Sequence, residues 1–218
     1  MKAMTTAVIT AIALMVVCDS DPTGTSGAGD TTTATSITDR RNGKAYKTVK
    51  IDNQTWMAEN LNYETATTNT DSSWCYGNST DSCAKYGRLY TWDAAIKACP
   101  GGWHLPTILE WSILVDYASE YALSSTKLKS TAGWNDYRGE SGNGTDEFGF
   151  SALPGGYRDY YDGFSGVGKY GYWWSATENE DTRSDYDAYA MRMRYDLDLA
   201  GRPSSVKNNG YSVRCVKD

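Results

Sequence analysis

Four cysteines, Cys75, Cys83, Cys99 and Cys215, follow an apolar N-terminal run, and this arrangement constrains the fold more than any other feature. An even number of cysteines in a chain marked for export predicts two disulfides in an oxidising compartment. Four cysteines allow three pairings. Cys75 and Cys83 enclose YGNSTDS, a short loop rich in turn formers, which leaves Cys99 and Cys215 to tie the middle of the chain to its end. Zinc is the rival use of cysteine. No Cys-x-x-Cys spacing occurs and His104 is the sole histidine, so a thiolate-metal site is disfavoured.

The leader reads MKAMTTAVITAIALMVVC, with an early Lys2 and an apolar run over residues 7–17. That run is shorter than the roughly 20 residues of a membrane-spanning helix and has the form of a signal peptide. It stops at Cys18, where a bacterial lipoprotein signal places the residue that is acylated and becomes the new N-terminus; Val17 departs from the usual Gly, Ala or Ser. The expectation is a signal peptide over residues 1–18, lipidation at Cys18, and residence in the cell envelope, at the outer membrane or cell surface. Membrane contact would run through the lipid anchor only. Residues 19–38, almost all Thr, Gly, Ser and Asp at first, read as a flexible linker. Residues 39–218 then form one domain, since 218 residues at 40% hydrophobic content suffice for one sizeable core. The formal net charge of -6 argues against a nucleic-acid partner, because such binding draws on clustered Lys and Arg.

Asn42-Gly43 between two strand-like runs predicts a tight hairpin. Residues 90–98 (YTWDAAIKA) carry helical spacing and stop at Cys99-Pro100-Gly101-Gly102. A second helix begins at Thr107, which with Glu110 makes a capping box, and Trp111, Leu114, Val115 and Ala118 recur on one face. Beyond Ala132 the chain turns rich in Gly, Tyr and Asp and reads as short strands and long loops. Its clearest strand spans residues 189–199, where Tyr189, Met191, Met193, Tyr195, Leu197 and Leu199 would face a core and the intervening residues would form a charged face. The adjacency of Trp173 and Trp174 puts one ring on each side of a strand. The final YSVRCV places Cys215 in a terminal strand.

The blocks YKTVKIDNQTWMAENLNY, YGRLYTWDAA, CPGGWHLPTILEW, SGNGTDEFGFSALPGGYR, GYWWSATE and YSVRCVKD cover most of residues 39–218. Together they resemble the Fibrobacter succinogenes major paralogous domain family. The resemblance implies an α+β class, a C-type lectin-like fold with two helices and short, loop-rich antiparallel strands, in which the first helix is disulfide-linked to the last strand. It also implies surface display and kinship with the formylglycine-generating-enzyme branch and with retroelement-diversified variable proteins. It implies no reaction: that branch's oxidases need a cysteine pair near the C-terminal region, and only Cys215 lies there.

The residues themselves point to binding, not to an enzyme. Any Ser-His or Cys-His mechanism would need His104, which sits in a block of structural character. Glu178, Glu180, Asp181, Asp185 and Asp187 could supply the paired carboxylates of glycoside hydrolysis, so an extracellular carbohydrate-active enzyme is the alternative. The same loop with Asp196 and Asp198 offers oxygen ligands for Ca²⁺ without EF-hand spacing, and no other cofactor is expected. Trp134-Asn135-Asp136 lacks the Pro-containing partner of a sugar-binding calcium site, and SGNGTDEFG lacks the Lys of a phosphate loop. Tyr, Asp, Ser, Gly and Arg concentrate in GGYRDYYDGFSGVGKYGYWW and DTRSDYDAYAMRMRYDLD, much as in antibody loops. Asp159, Tyr160, Tyr161, Asp162, Tyr186, Asp187, Arg192 and Arg194 are the expected contacts for an extracellular protein or glycan. A diversified variable protein would place its variable positions on the charged face of 189–199. A purely structural envelope protein is the third reading.

Overall fold

The computed structural model describes residues 35–218 apart from 66–67, 69–70, 120–122 and 181–185. The expected signal peptide, Cys18 and the linker up to residue 34 lie outside the described residues, as do Asp181 and Asp185. In chain order come β1 (Thr35–Asp39), β2 (Lys44–Ile51), β3 (Gln54–Met57) and β4 (Ser73–Trp74), then α1 (Thr80–Tyr86), β5 (Leu89–Tyr90), α2 (Trp92–Ala98), β6 (Trp103–His104) and α3 (Ile108–Ala118). The second half holds β7 (Gly155–Arg158), β8 (Phe164–Val167), β9 (Tyr170–Glu178), β10 (Asp187–Arg194), β11 (Leu197–Gly201), β12 (Ser204–Val206), β13 (Tyr211–Ser212) and β14 (Val216–Lys217).

Asn42 and Gly43 make the expected hairpin. Both N–H groups donate to the Asp39 carbonyl (3.3 and 2.8 Å), with Gly43 at φ +73°, where a side chain would be strained. β1 already pairs from Thr35, inside the segment expected to be linker. Buried Asp39 holds Arg41 through Nε (2.9 Å) and Nη2 (2.7 Å), and Nη2 also donates to the Ala98 carbonyl (2.6 Å), fastening the hairpin to the end of α2. The first sheet runs β1-β2-β3-β14-β6, all antiparallel. The second runs β11-β10-β9-β13-β5-β4; β12 pairs with β10, and the β7–β8 hairpin joins β9 through a parallel Gly156–Gly171 pairing.

Two curled sheets and three short helices make a mostly-β protein, which corrects the expected α+β, C-type lectin-like fold with two helices. The additional helix, α1, is made of TDSCAKY, whose opening residues favour turns. Tertiary contacts hold it instead, namely the Cys75–Cys83 disulfide and the Asn62 Nδ2 donation to the Cys83 carbonyl (3.0 Å). The other expected helices form, although Tyr90 belongs to β5 and α2 starts at Trp92. Thr107 caps α3 with the reciprocal Glu110 bonds that its sequence requires.

The expected single strand over 189–199 is divided. β10 ends at Arg194, Tyr195 and Asp196 turn, and β11 returns antiparallel with Leu197 opposite Arg194. The Asp196 carboxylate accepts from Arg194 Nε (2.9 Å) and Nη2 (2.7 Å), tightening the turn, and Leu197 and Leu199 end up exposed. The expected charged face is confined to the far end of β10, where Arg192 and Arg194 are half-buried; at Ala188 and Ala190 that face is core. Met191 and Met193 enter one core cluster with Trp56, Trp111, Phe150 and Trp173, while Ala188 and Ala190 enter another with Tyr46, Tyr90, Trp174 and Tyr211. Trp173 and Trp174 thus lie on opposite sides of β9, both fully buried, as their adjacency requires.

Both expected disulfides form, Cys75–Cys83 and Cys99–Cys215. Cys215 sits in the link between β13 and β14 and not in a continuous terminal strand. That link passes from one sheet to the other, held by Met57 N to the Cys215 carbonyl (3.0 Å) and Leu61 N to the Val213 carbonyl (2.8 Å). Between them lies Arg214, fully buried. It donates to Asn60 Oδ1 from Nε (3.1 Å) and Nη2 (2.7 Å), to the Ser151 carbonyl (3.3 Å), and to the Phe150 carbonyl. Asn60 Oδ1 accepts Trp173 Nε1 as well (2.8 Å). Burial pulls the Arg214 guanidinium down to about 9.

Candidate functional site

The turn between β7 and β8 is built by Asp159. Its Oδ1 accepts the N–H of Tyr161 (2.9 Å) and of Gly163 (2.8 Å), and its own N–H donates to the Gly163 carbonyl (2.8 Å). Asp159 therefore shapes the loop from within. The tight turn throws Tyr160 and Tyr161 outward, with ring centroids 3.9 Å apart and Tyr161 78% exposed. Beside them Arg158 pairs with Asp162 and lies 3.9 Å over the Trp74 ring. Trp74 is held in place by β4 and by its neighbour Cys75 in the short disulfide. Trp74, Arg158, Tyr160 and Asp162 line a cleft of about 310 Å³ together with Thr68, Ser72, Thr91 and Asn208, and Tyr161 stands against Tyr160 outside that lining. The cleft offers aromatic faces edged by hydroxyl, carboxylate and amide groups.

Tyr186, also exposed, borders the same region, because its carbonyl accepts Lys207 N (2.8 Å), the residue before Asn208. Asp187 opens β10 nearby, with its carboxylate 3.5 Å from Ser204 Oγ. Arg192 and Arg194 do not join them. Arg194 lies at the opposite end of the eight-residue β10 from Asp187, about 23 Å away at the usual rise. Arg194 is engaged by Asp196; their mutual hydrogen bonds raise the guanidinium and lower the carboxylate. Arg192 is half-buried beside Gly201. Trp74, Arg158 and Asn208 were missed as site residues by sequence reasoning. The available signal for Trp74 was a lone tryptophan abutting a cysteine in a polar loop.

The other sequence candidates have evident partners. His104 Nε2 lies 2.9 Å from Glu110 Oε1 and its Nδ1 2.7 Å from Asp218 Oδ1. Burial pulls the imidazole down, yet the two carboxylates outweigh it and hold the group above its ordinary value. Glu178 pairs with Lys207 (2.6 Å), and Asp198 lies 3.6 Å from the buried Lys129 ammonium. Trp134 is buried and donates to the Ala152 carbonyl (3.0 Å). In SGNGTDEFG, Asp146 accepts Ser151 N (2.6 Å), a tight loop as expected. Among the described residues no three His, Cys, Asp or Glu side chains gather closely enough to hold a metal ion. Among them, too, no helix is long and apolar enough to cross a membrane.

These features define a mostly-β domain braced by two disulfides, with an aromatic cleft at one hairpin. Residues 49–217 match the Fibrobacter succinogenes major domain, and the chain belongs to that family. Neither a curated protein nor a solved structure matches the chain.

Proposed function

We propose that this chain is a non-catalytic binding module of the bacterial cell envelope, anchored by lipid at Cys18, that presents the β7–β8 hairpin and Trp74 to an extracellular glycan. The observation that carries the reading is the paired, exposed Tyr160 and Tyr161 beside the Arg158–Trp74 stack. A sugar ring has an apolar C–H face and a hydroxyl rim, and an aromatic cleft edged by Asp162, Ser72 and Asn208 complements both. Asp159 supports the reading by fixing the loop before any ligand arrives, which lowers the ordering cost of binding.

A glycan array probed with the purified chain tests this. Retention of a glycan without turnover, lost in Trp74→Ala and Tyr161→Ala, is the expected result. Product release abolished by Asp187→Asn or Glu178→Gln would replace the reading with that of a carbohydrate-active enzyme. Retention of a protein from the cell surface, and of no glycan, would replace the ligand class. Fatty-acid labelling of the expressed chain, abolished in Cys18→Ala, tests the anchor.

A further inference from the structure

On the far side of the Asn60 segment lies a second cavity of about 410 Å³, between β2, the end of α1 and the 148–153 loop. Its ionisable lining is Lys44, Lys47, Lys85 and Glu59, a local balance of +2 in a chain of formal net charge -6. Among the described residues none of the three lysines has a carboxylate within ion-pair distance. The one carboxylate present is turned to the backbone, with Glu59 Oε2 accepting Lys47 N (2.7 Å). A further cation lies buried behind the wall. Asn60 and Ser151 line the cavity, and both bind the fully buried Arg214, whose hydrogen bonds all end on neutral amide and carbonyl oxygens. Asp146 and Glu59 act on it only through space. A buried charge without an adjacent counter-ion projects its field into the nearest solvent-filled space, and low-dielectric walls focus that field.

We propose that this cavity binds a small organic anion, a carboxylate or phosphate on a sugar-sized body, through Lys44, Lys47 and Lys85, with the Phe148 side as its apolar wall. The volume falls in the range of small-molecule sites, and Gly87 lets the end of α1 close tightly on the backbone of Leu61 and of Asn60, which forms part of the lining, since a Cβ there would meet the Leu61 carbonyl at 2.7 Å. The site is separate from the Tyr160 cleft, so either can fail without the other.

The test is a chemical-shift titration of the full chain with galacturonate, with inorganic phosphate and with neutral galactose, followed at the Gly87 and Gly149 amides. Saturable shifts with galacturonate identify a carboxylate ligand and saturable shifts with phosphate a phosphorylated one; either supports the site. Affinity should fall about tenfold in K44Q/K47Q/K85Q and with rising salt, and should persist in K44R/K47R/K85R, which keeps the charges if the glutamine variant folds poorly. No saturable shift with either anion, equal shifts with galactose, or salt-independent binding overturns the proposal.

Discussion

Replacing Asn60 with Leu should unfold more of this protein than most single changes in its core. Asn60 Oδ1 accepts three hydrogen bonds, from Arg214 Nε, Arg214 Nη2 and Trp173 Nε1, and its Nδ2 donates to the Tyr86 carbonyl (2.8 Å). Leucine fills similar space but leaves the buried Trp173 N–H unsatisfied and removes the one acceptor, Asn60 Oδ1, that takes two of the hydrogen bonds of a buried charge. An orphaned buried donor costs about 1–3 kcal/mol, and breaking a buried charge's partner about 3–5 kcal/mol. The two overlap, so the expected loss is about 4 kcal/mol, a large share of the ~5–15 kcal/mol that holds a typical domain. Urea unfolding followed by tryptophan fluorescence measures it. The double variant N60L/R214M should recover a substantial part, because removing both partners removes the unpaired charge. An N60L loss below about 1 kcal/mol, or strictly additive effects in the double variant, would refute the reasoning that Asn60 Oδ1 compensates the buried Arg214 charge.

Breaking Cys99–Cys215, which closes a separation of 116 residues, should cost about 5 kcal/mol by loop entropy, against about 2.5 kcal/mol for Cys75–Cys83 with its separation of 8; denaturation of the two Cys→Ser pairs ranks them. Thr107→Ala should destabilise by about 1 kcal/mol through loss of the α3 cap, read in the same assay. The His104 imidazole is held above its unfolded value by Asp218 and Glu110, so the folded state binds its proton more tightly and the associated stability is fully present below the unfolded value of 6.5. That stability is lost as pH rises through the higher folded value, and His104→Gln should flatten the pH profile of the melting temperature across this window.

Local rules of the chain were legible where local chemistry decides the outcome. Asn42-Gly43 turned, Thr107 and Glu110 capped, and the Trp173-Trp174 pair split across β9, each for a reason contained in a few residues. The even cysteine count and the turn-rich YGNSTDS loop likewise anticipated both disulfides. What escaped was decided at a distance. Helix α1 is built from turn-favouring residues, and the contact that holds its Cys83 carbonyl comes from Asn62, 21 residues earlier. The alternation over 189–199 continues through a turn that the Arg194–Asp196 pair creates, so period alone read one strand where there are two. The lectin-like architecture failed for a related reason: short strands of two residues leave almost no periodic trace, and they account for β4, β5, β6, β13 and β14. At the site, the Tyr160 loop was visible by composition. Trp74, more than 80 residues away in sequence, was not, because only the β4–β5 and β7 pairings bring it beneath Arg158.

The central claim is that the Tyr160–Tyr161 hairpin and Trp74 form the ligand face. It is tested most directly by measuring the affinity of the wild-type chain and of Tyr161→Ala for a glycan recovered from the array, with Tyr137→Ala as an exposed aromatic control away from the cleft. The account predicts about a tenfold loss for Tyr161→Ala, the scale of one stacked aromatic, and no change for the control. Equal affinity in all three proteins would contradict it.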